Sequence, residues 1–123
     1  MKRSVIVVCG LLGCLFPLFA QIRNGQRLNL YSWTKDGKET GMVEQVSDAV
    51  VQTTSNEIKY TMRIKNGDTI VINFDRISKR LHYISKPEHL YSTTGTFRES
   101  GSTSIFTFTG EMGEKNVLKF KRI

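Results

Sequence analysis

Nine consecutive residues, EIKYTMRIK from Glu57 to Lys65, alternate without exception between polar and apolar side chains. Ile58, Tyr60, Met62 and Ile64 fall on one side, and Glu57, Lys59, Thr61, Arg63 and Lys65 on the other. A period of two is the signature of a β-strand with one buried and one wet face, because successive side chains leave a pleated backbone in opposite directions. Such a strand needs neighbours whose apolar faces turn the same way, and that requirement selects among registers.

The next segment, TIVINF, sets Ile70, Ile72 and Phe74 against Thr69, Val71 and Asn73. Lys65-Asn66-Gly67-Asp68 lies between the two runs. A two-residue Asn-Gly turn would bring Met62 opposite Val71 and Ile70 opposite Arg63, mixing the faces. A three-residue loop of Lys65, Asn66 and Gly67, with Gly67 left-handed, pairs Met62 with Ile70, Tyr60 with Ile72 and Ile58 with Phe74. The second register is the expectation, since a one-residue slip would send a whole apolar set into water.

The same test applies downstream. Phe106 and Phe108 match Phe120 and Leu118 across a loop centred on Gly113, and Phe97 meets Phe106 across the turn at Ser100-Gly101. That register puts Gly95 opposite Phe108, where a missing side chain makes room for a ring. Upstream, RLNLYSWT is closed by Asp36-Gly37, with Tyr31 and Trp33 on one face. GMVEQV and AVVQTT read as two further strands divided at Ser47-Asp48, although Val43, Val46 and Val50 also fit a helical stripe. Between Phe74 and Ile77 the apolar positions change parity, so a bulge is expected at Asp75-Arg76.

The fold expected is therefore all-β: an antiparallel meander of about eight strands closing into a small up-and-down barrel, since a long open sheet would leave exposed edges. A two-sheet β-sandwich is the alternative. The barrel is lipocalin-like in architecture only; no lipocalin sequence motif is present.

Ahead of this domain stands an apolar head. Lys2 and Arg3 lead into an apolar run from Val5 to Phe19, and Ala20 precedes polar sequence. Charged, apolar, small is the order of a secretory signal peptide, with cleavage after Ala20 and a single domain from Gln21 to Ile123. The run is shorter than the roughly 18 to 20 residues of a spanning helix. Two alternatives keep the chain at a membrane: an uncleaved N-terminal anchor, and lipidation of Cys14, because Leu11-Leu12-Gly13-Cys14 resembles the lipobox of bacterial lipoproteins. The expected location is periplasmic or extracellular.

Cleavage would remove Cys9 and Cys14, the only cysteines, leaving no disulfide partner, thiol nucleophile or cysteine metal site. Without Lys2 and Arg3, the 18 basic residues become 16 against 11 acidic ones, a net charge of +5. In an exported protein this moderate excess speaks for solubility, or for an anionic envelope polymer, rather than for nucleic acid. A polyanion site is expected, if anywhere, at Arg76, Lys79, Arg80 and Lys86.

Catalytic chemistry finds no foothold. No serine sits in a Gly-x-Ser-x-Gly elbow, and no glycine-rich phosphate loop opens a helix. His82 and His89 flank the Lys86-Pro87 turn, but the register that aligns apolar faces, Leu81 with Tyr91 and Tyr83 with His89, sends His82 to the other side. Two imidazoles are in any case short of the three or four protein ligands zinc takes. The expectation is no enzyme, no metal and no cofactor.

Two functions remain. In the first, the barrel holds an apolar or amphipathic small molecule against Trp33, Tyr60, Phe74, Tyr83 and Phe108, with Trp33 as end plug or mouth residue. In the second, the core is solid and the outer surface acts as an envelope protein-interaction or inhibitor module. An apolar void above ~300 Å³, open to solvent, favours the first, and a dry packed interior favours the second.

Overall fold

A computed structural model describes residues 23–85 and 89–123. The apolar head with its expected cleavage site, both cysteines, and the turn containing Lys86 lie outside the described residues.

The strands, in chain order, are β1 (Arg27–Lys35), β2 (Lys38–Glu39), β3 (Val46–Thr53), β4 (Glu57–Ile64), β5 (Thr69–Asp75), β6 (Arg80–Ser85), β7 (His89–Ser100), β8 (Thr103–Thr109) and β9 (Lys115–Arg122). From β3 to β9 each strand pairs antiparallel with the next, β1 pairs with β3, and β9 returns to pair with β1. Eight strands close the barrel, and β2 is a short tab on β1. Closure satisfies the strand edges that an open sheet would expose. The sandwich alternative is thereby set aside.

Alternation builds the wall. Along β4, Ile58, Tyr60 and Met62 are buried while Glu57 and Arg63 are exposed. The β4–β5 register is the expected one: Met62 faces Ile70, Tyr60 faces Ile72 and Ile58 faces Phe74. Gly67 closes the three-residue loop with φ of 99°, and the Ile64 N–H donates to the Asp68 carbonyl at 2.8 Å. Phe97 opposite Phe106 and Gly95 opposite Phe108 are likewise as expected. Because the apolar side chains point inward and the outer wall is largely polar, the polarity is the inverse of a membrane-spanning barrel.

Five local expectations are corrected. Met42–Glu44 is a 3-10 turn rather than a strand, and β3 runs unbroken through Ser47 and Asp48, absorbing a bulge between Val46 and Asp48. Asp75-Arg76 is a hairpin turn, not a bulge. The Asp75 carboxylate accepts the N–H groups of Ile77 (2.8 Å) and Ser78 (3.2 Å), and the chain reverses through Lys79 at φ 63°. Phe74 then faces Leu81, so the change of parity is the loop itself. In β1, Tyr31 does not share a face with Trp33: a bulge opposite Lys119 and Phe120 turns Tyr31 outward, 41% exposed, while Trp33 is 3% exposed. The β6–β7 pairing sets Tyr83 against Tyr91 and Leu81 against Thr93. The β8–β9 pairing sets Phe106 against Leu118 and Phe108 against Asn116.

The core is densest toward the end of the barrel that holds the β5–β6 and β7–β8 turns. Tyr60 stacks edge-to-face on Phe106 and on Phe120, each at 4.8 Å between centroids, and Phe97 lies 4.8 Å from Phe106. Such pairs add about 0.5–1.5 kcal/mol beyond the area they bury. The Tyr60 hydroxyl donates to Ser104 Oγ at 2.7 Å, which satisfies both polar groups inside the cluster. The Arg76 guanidinium lies over the Phe97 ring at 5.7 Å and helps cover this base.

Candidate functional site

The opposite end is open. The strand ends at Lys35, Ser85 and His89, with the β8–β9 connection at Gly110 and Glu114, surround a cavity of about 290 Å³ that communicates with solvent. Its floor is aromatic: Trp33 meets Tyr83 edge-on at 6.3 Å, and Tyr83 lies 6.2 Å from Phe108. Trp33 and Phe108 are buried, and Tyr83 is half-buried with its hydroxyl raised above the ordinary tyrosine value by that burial. Alternation on β6 and β8 aims Tyr83 and Phe108 inward; the β1 bulge does the same for Trp33.

The rim is polar and internally bonded. The Trp33 Nε1–H donates to Asn116 Oδ1 at 3.0 Å, a buried bond across the β1–β9 closure. His89 Nε2 lies 2.7 Å from Glu111 Oε1, and the Tyr91 hydroxyl donates to the Thr109 carbonyl at 2.9 Å. Glu114 accepts the Met112 N–H at 3.0 Å. Its own backbone N–H, then the Asn116 amide, the Met112 N–H and the Lys35 charge hold its carboxyl below the usual range against partial burial. Glu114 is therefore an anion at neutral pH.

Of the five residues expected to line a pocket, Trp33, Tyr83 and Phe108 line this cavity. Tyr60 and Phe74 do not; they belong to the packed core. Of the four expected to bind a polyanion, Arg76, Lys79 and Arg80 lie on the β5–β6 turn at the base. Arg76 is half-buried over Phe97, while Lys79 and Arg80 are exposed. Lys86 lies outside the described residues. The two histidines diverge: His82 faces outward to Ser92 Oγ at 2.6 Å, and His89 stands at the cavity rim. No group of three or more metal-type donors is gathered among the described residues.

Sequence reasoning missed the rim. Tyr91 was within reach, since it shares the parity of inward Tyr83. Glu111, Met112 and Glu114 sit on the β8–β9 loop, where alternation carries no information. A second groove, on the outer wall and larger at about 570 Å³, is bordered by Gly25, Thr53, Glu57 and Asn73 and has no aromatic lining. No protein-family model matches the chain, and neither a curated protein nor a solved structure matches it significantly.

Proposed function

We propose that this chain is an exported, non-catalytic, lipocalin-like barrel that takes up a small apolar or amphipathic molecule at its open end. The observation that carries the reading is the solvent-open cavity of about 290 Å³ with Trp33, Tyr83 and Phe108 as its floor. It falls just short of the roughly 300–1,000 Å³ typical of small-molecule sites, so the occupant is small. The rings offer apolar contact, and the polar rim suits a head group that stays near water. The non-catalytic part rests on how the rim groups are spent on one another: His89 on Glu111, Asn116 on Trp33, Tyr91 on a main-chain carbonyl. Export rests on the charged, apolar, small order of the first 20 residues.

The second reading, an outer-surface module, draws on a different observation. Ile84 and Leu90 face each other across β6 and β7 on the outer wall, 39% and 63% exposed.

Trp33 is the only tryptophan and lies in the cavity floor, so its emission reports occupancy directly. Titration with octyl glucoside below its micelle concentration is expected to give a saturable change in Trp33 fluorescence. A drift that never saturates, or one that persists after unfolding in urea, rejects the carrier reading.

A further inference from the structure

We infer that the molecule taken up at the open end carries a cationic head group of the alkylammonium type, received by Glu111 and Glu114. The inference rests on the carrier reading above and specifies its ligand. It follows from which hydrogen-bonding capacity at the rim is already spent. The Trp33 indole N–H is given to Asn116, the Asn116 amide and the Met112 N–H to Glu114, and the Tyr91 hydroxyl to Thr109. Among the other described lining residues, Tyr83 and Ser85 are hydrogen-bonded to each other and leave one hydroxyl hydrogen over, and Lys35 carries a charge that already bears on Glu114.

Acceptors are in surplus. A carboxylate offers about four lone-pair sites. Glu111 uses one oxygen on His89, and both carboxylates border the cavity. An anionic head would meet two carboxylates and few unspent donors. A cationic head would meet those carboxylates and the electron-rich faces of the aromatic floor, which attract cations most strongly where water is excluded. This placement runs against the basic balance of the whole chain, so it is a local property of the β8–β9 loop and not a reflection of net charge.

Three probes with the same tail separate the contributions: octyltrimethylammonium, octyl sulfate and octyl glucoside, each titrated below its micelle concentration and read by Trp33 emission. The ammonium probe is expected to bind about tenfold more tightly than the sulfate. Raising NaCl should shrink that ratio in the unaltered protein, because charges at an open rim are screened. Glu111→Gln together with Glu114→Gln should bring the ratio to within about twofold, and Glu111→Gln alone, which leaves the Glu114 loop contacts in place, should lower it part of the way. Sulfate binding as tight as the ammonium probe, or a preference that survives both substitutions in a folded variant, overturns the cationic head and leaves the carrier reading standing. Failure of all three probes to saturate overturns both.

Discussion

Asp48 is the one charged side chain buried among the described residues, and it sits at the β3 bulge. Arg63 donates to it twice, at 2.7 and 2.6 Å, and Arg27 once, at 3.0 Å. The arginine side chains are 54% and 60% exposed, whereas the carboxylate is desolvated. That asymmetry sets the order of mutational effects. Asp48→Ala leaves solvated arginines behind and should cost about 1 kcal/mol, whereas Arg63→Ala strands a buried acid with too few donors and should cost more. Hydrogen bonds from Arg63, then Arg27, outweigh burial and hold the Asp48 carboxyl below its ordinary value. A carboxyl depressed by folding contributes its full stabilisation above the unfolded-state value of about 4, and loses it as pH falls through the lower folded value. In urea unfolding, the gap between wild type and Asp48→Ala should therefore begin to narrow as pH falls toward the unfolded-state value of about 4 and go on narrowing below it, through the lower folded value. A gap of constant size would mean that the ionised carboxylate is not what stabilises the bulge.

At the scale of strands and hairpins, Gly95 gives the sharpest test of register. A Cβ built on it would lie 2.7 Å from the Thr107 carbonyl oxygen and 3.1 Å from Phe108 Cβ. The first neighbour is backbone and cannot swing aside, so Gly95→Ala should destabilise the barrel by about 1–3 kcal/mol, read as a lower urea midpoint with unchanged slope. A neutral substitution would mean that β7 and β8 pair differently. This close approach was legible in the sequence because Phe97 and Phe106 fix the register on either side of it. Two other registers were not legible, and for one shared reason. In β6–β7 and β8–β9 the expected pairing differs from the observed one by two residues, and a two-residue slip returns every side chain to its own face. Matching apolar faces rejects slips of one and is blind to slips of two. Loop form held the missing information. The β8–β9 loop repeats the β4–β5 loop: in both, a glycine at positive φ is the third of three residues, and its N–H bonds back to the residue before the loop, at 2.9 Å for Gly67 and 3.0 Å for Gly113. Placing Gly113 last in the loop, as Gly67 is, sets Phe106 against Leu118.

Across the whole molecule, the interior divides into a packed base and an open mouth. The candidate site was half legible on that account: inward aromatics could be identified from parity, but which of them reach the mouth depends on how far along each strand they stand once the barrel closes. Closure is also unequal around the ring. The β9–β1 ladder extends from Asn116 opposite Lys35 to Arg122 opposite Leu28, reinforced by the Trp33–Asn116 bond and by the Asp36 carboxylate accepting the Lys115 N–H at 2.9 Å. The β1–β3 ladder has only Arg27 opposite Val50 and Leu28 opposite Ala49, extended by two bonds between Val51 and residues Gly25 and Gln26. Beyond Leu28 the two strands diverge, and the β2 tab with the Met42–Glu44 turn occupies the connection between them. Met42 and Val43 are only partly buried against the core, and this seam has a shorter ladder than any other pairing that closes the barrel. Regions with those properties open locally well below the free energy of global unfolding. Native-state hydrogen exchange in low urea should find the slowest amides at Tyr60, Ile72, Phe106 and Leu118, exchanging only with global unfolding, and much faster exchange from Lys38 to Gln45. Equal protection around the ring would mean that the seam is no weaker than the other pairings and that the barrel unfolds as one unit.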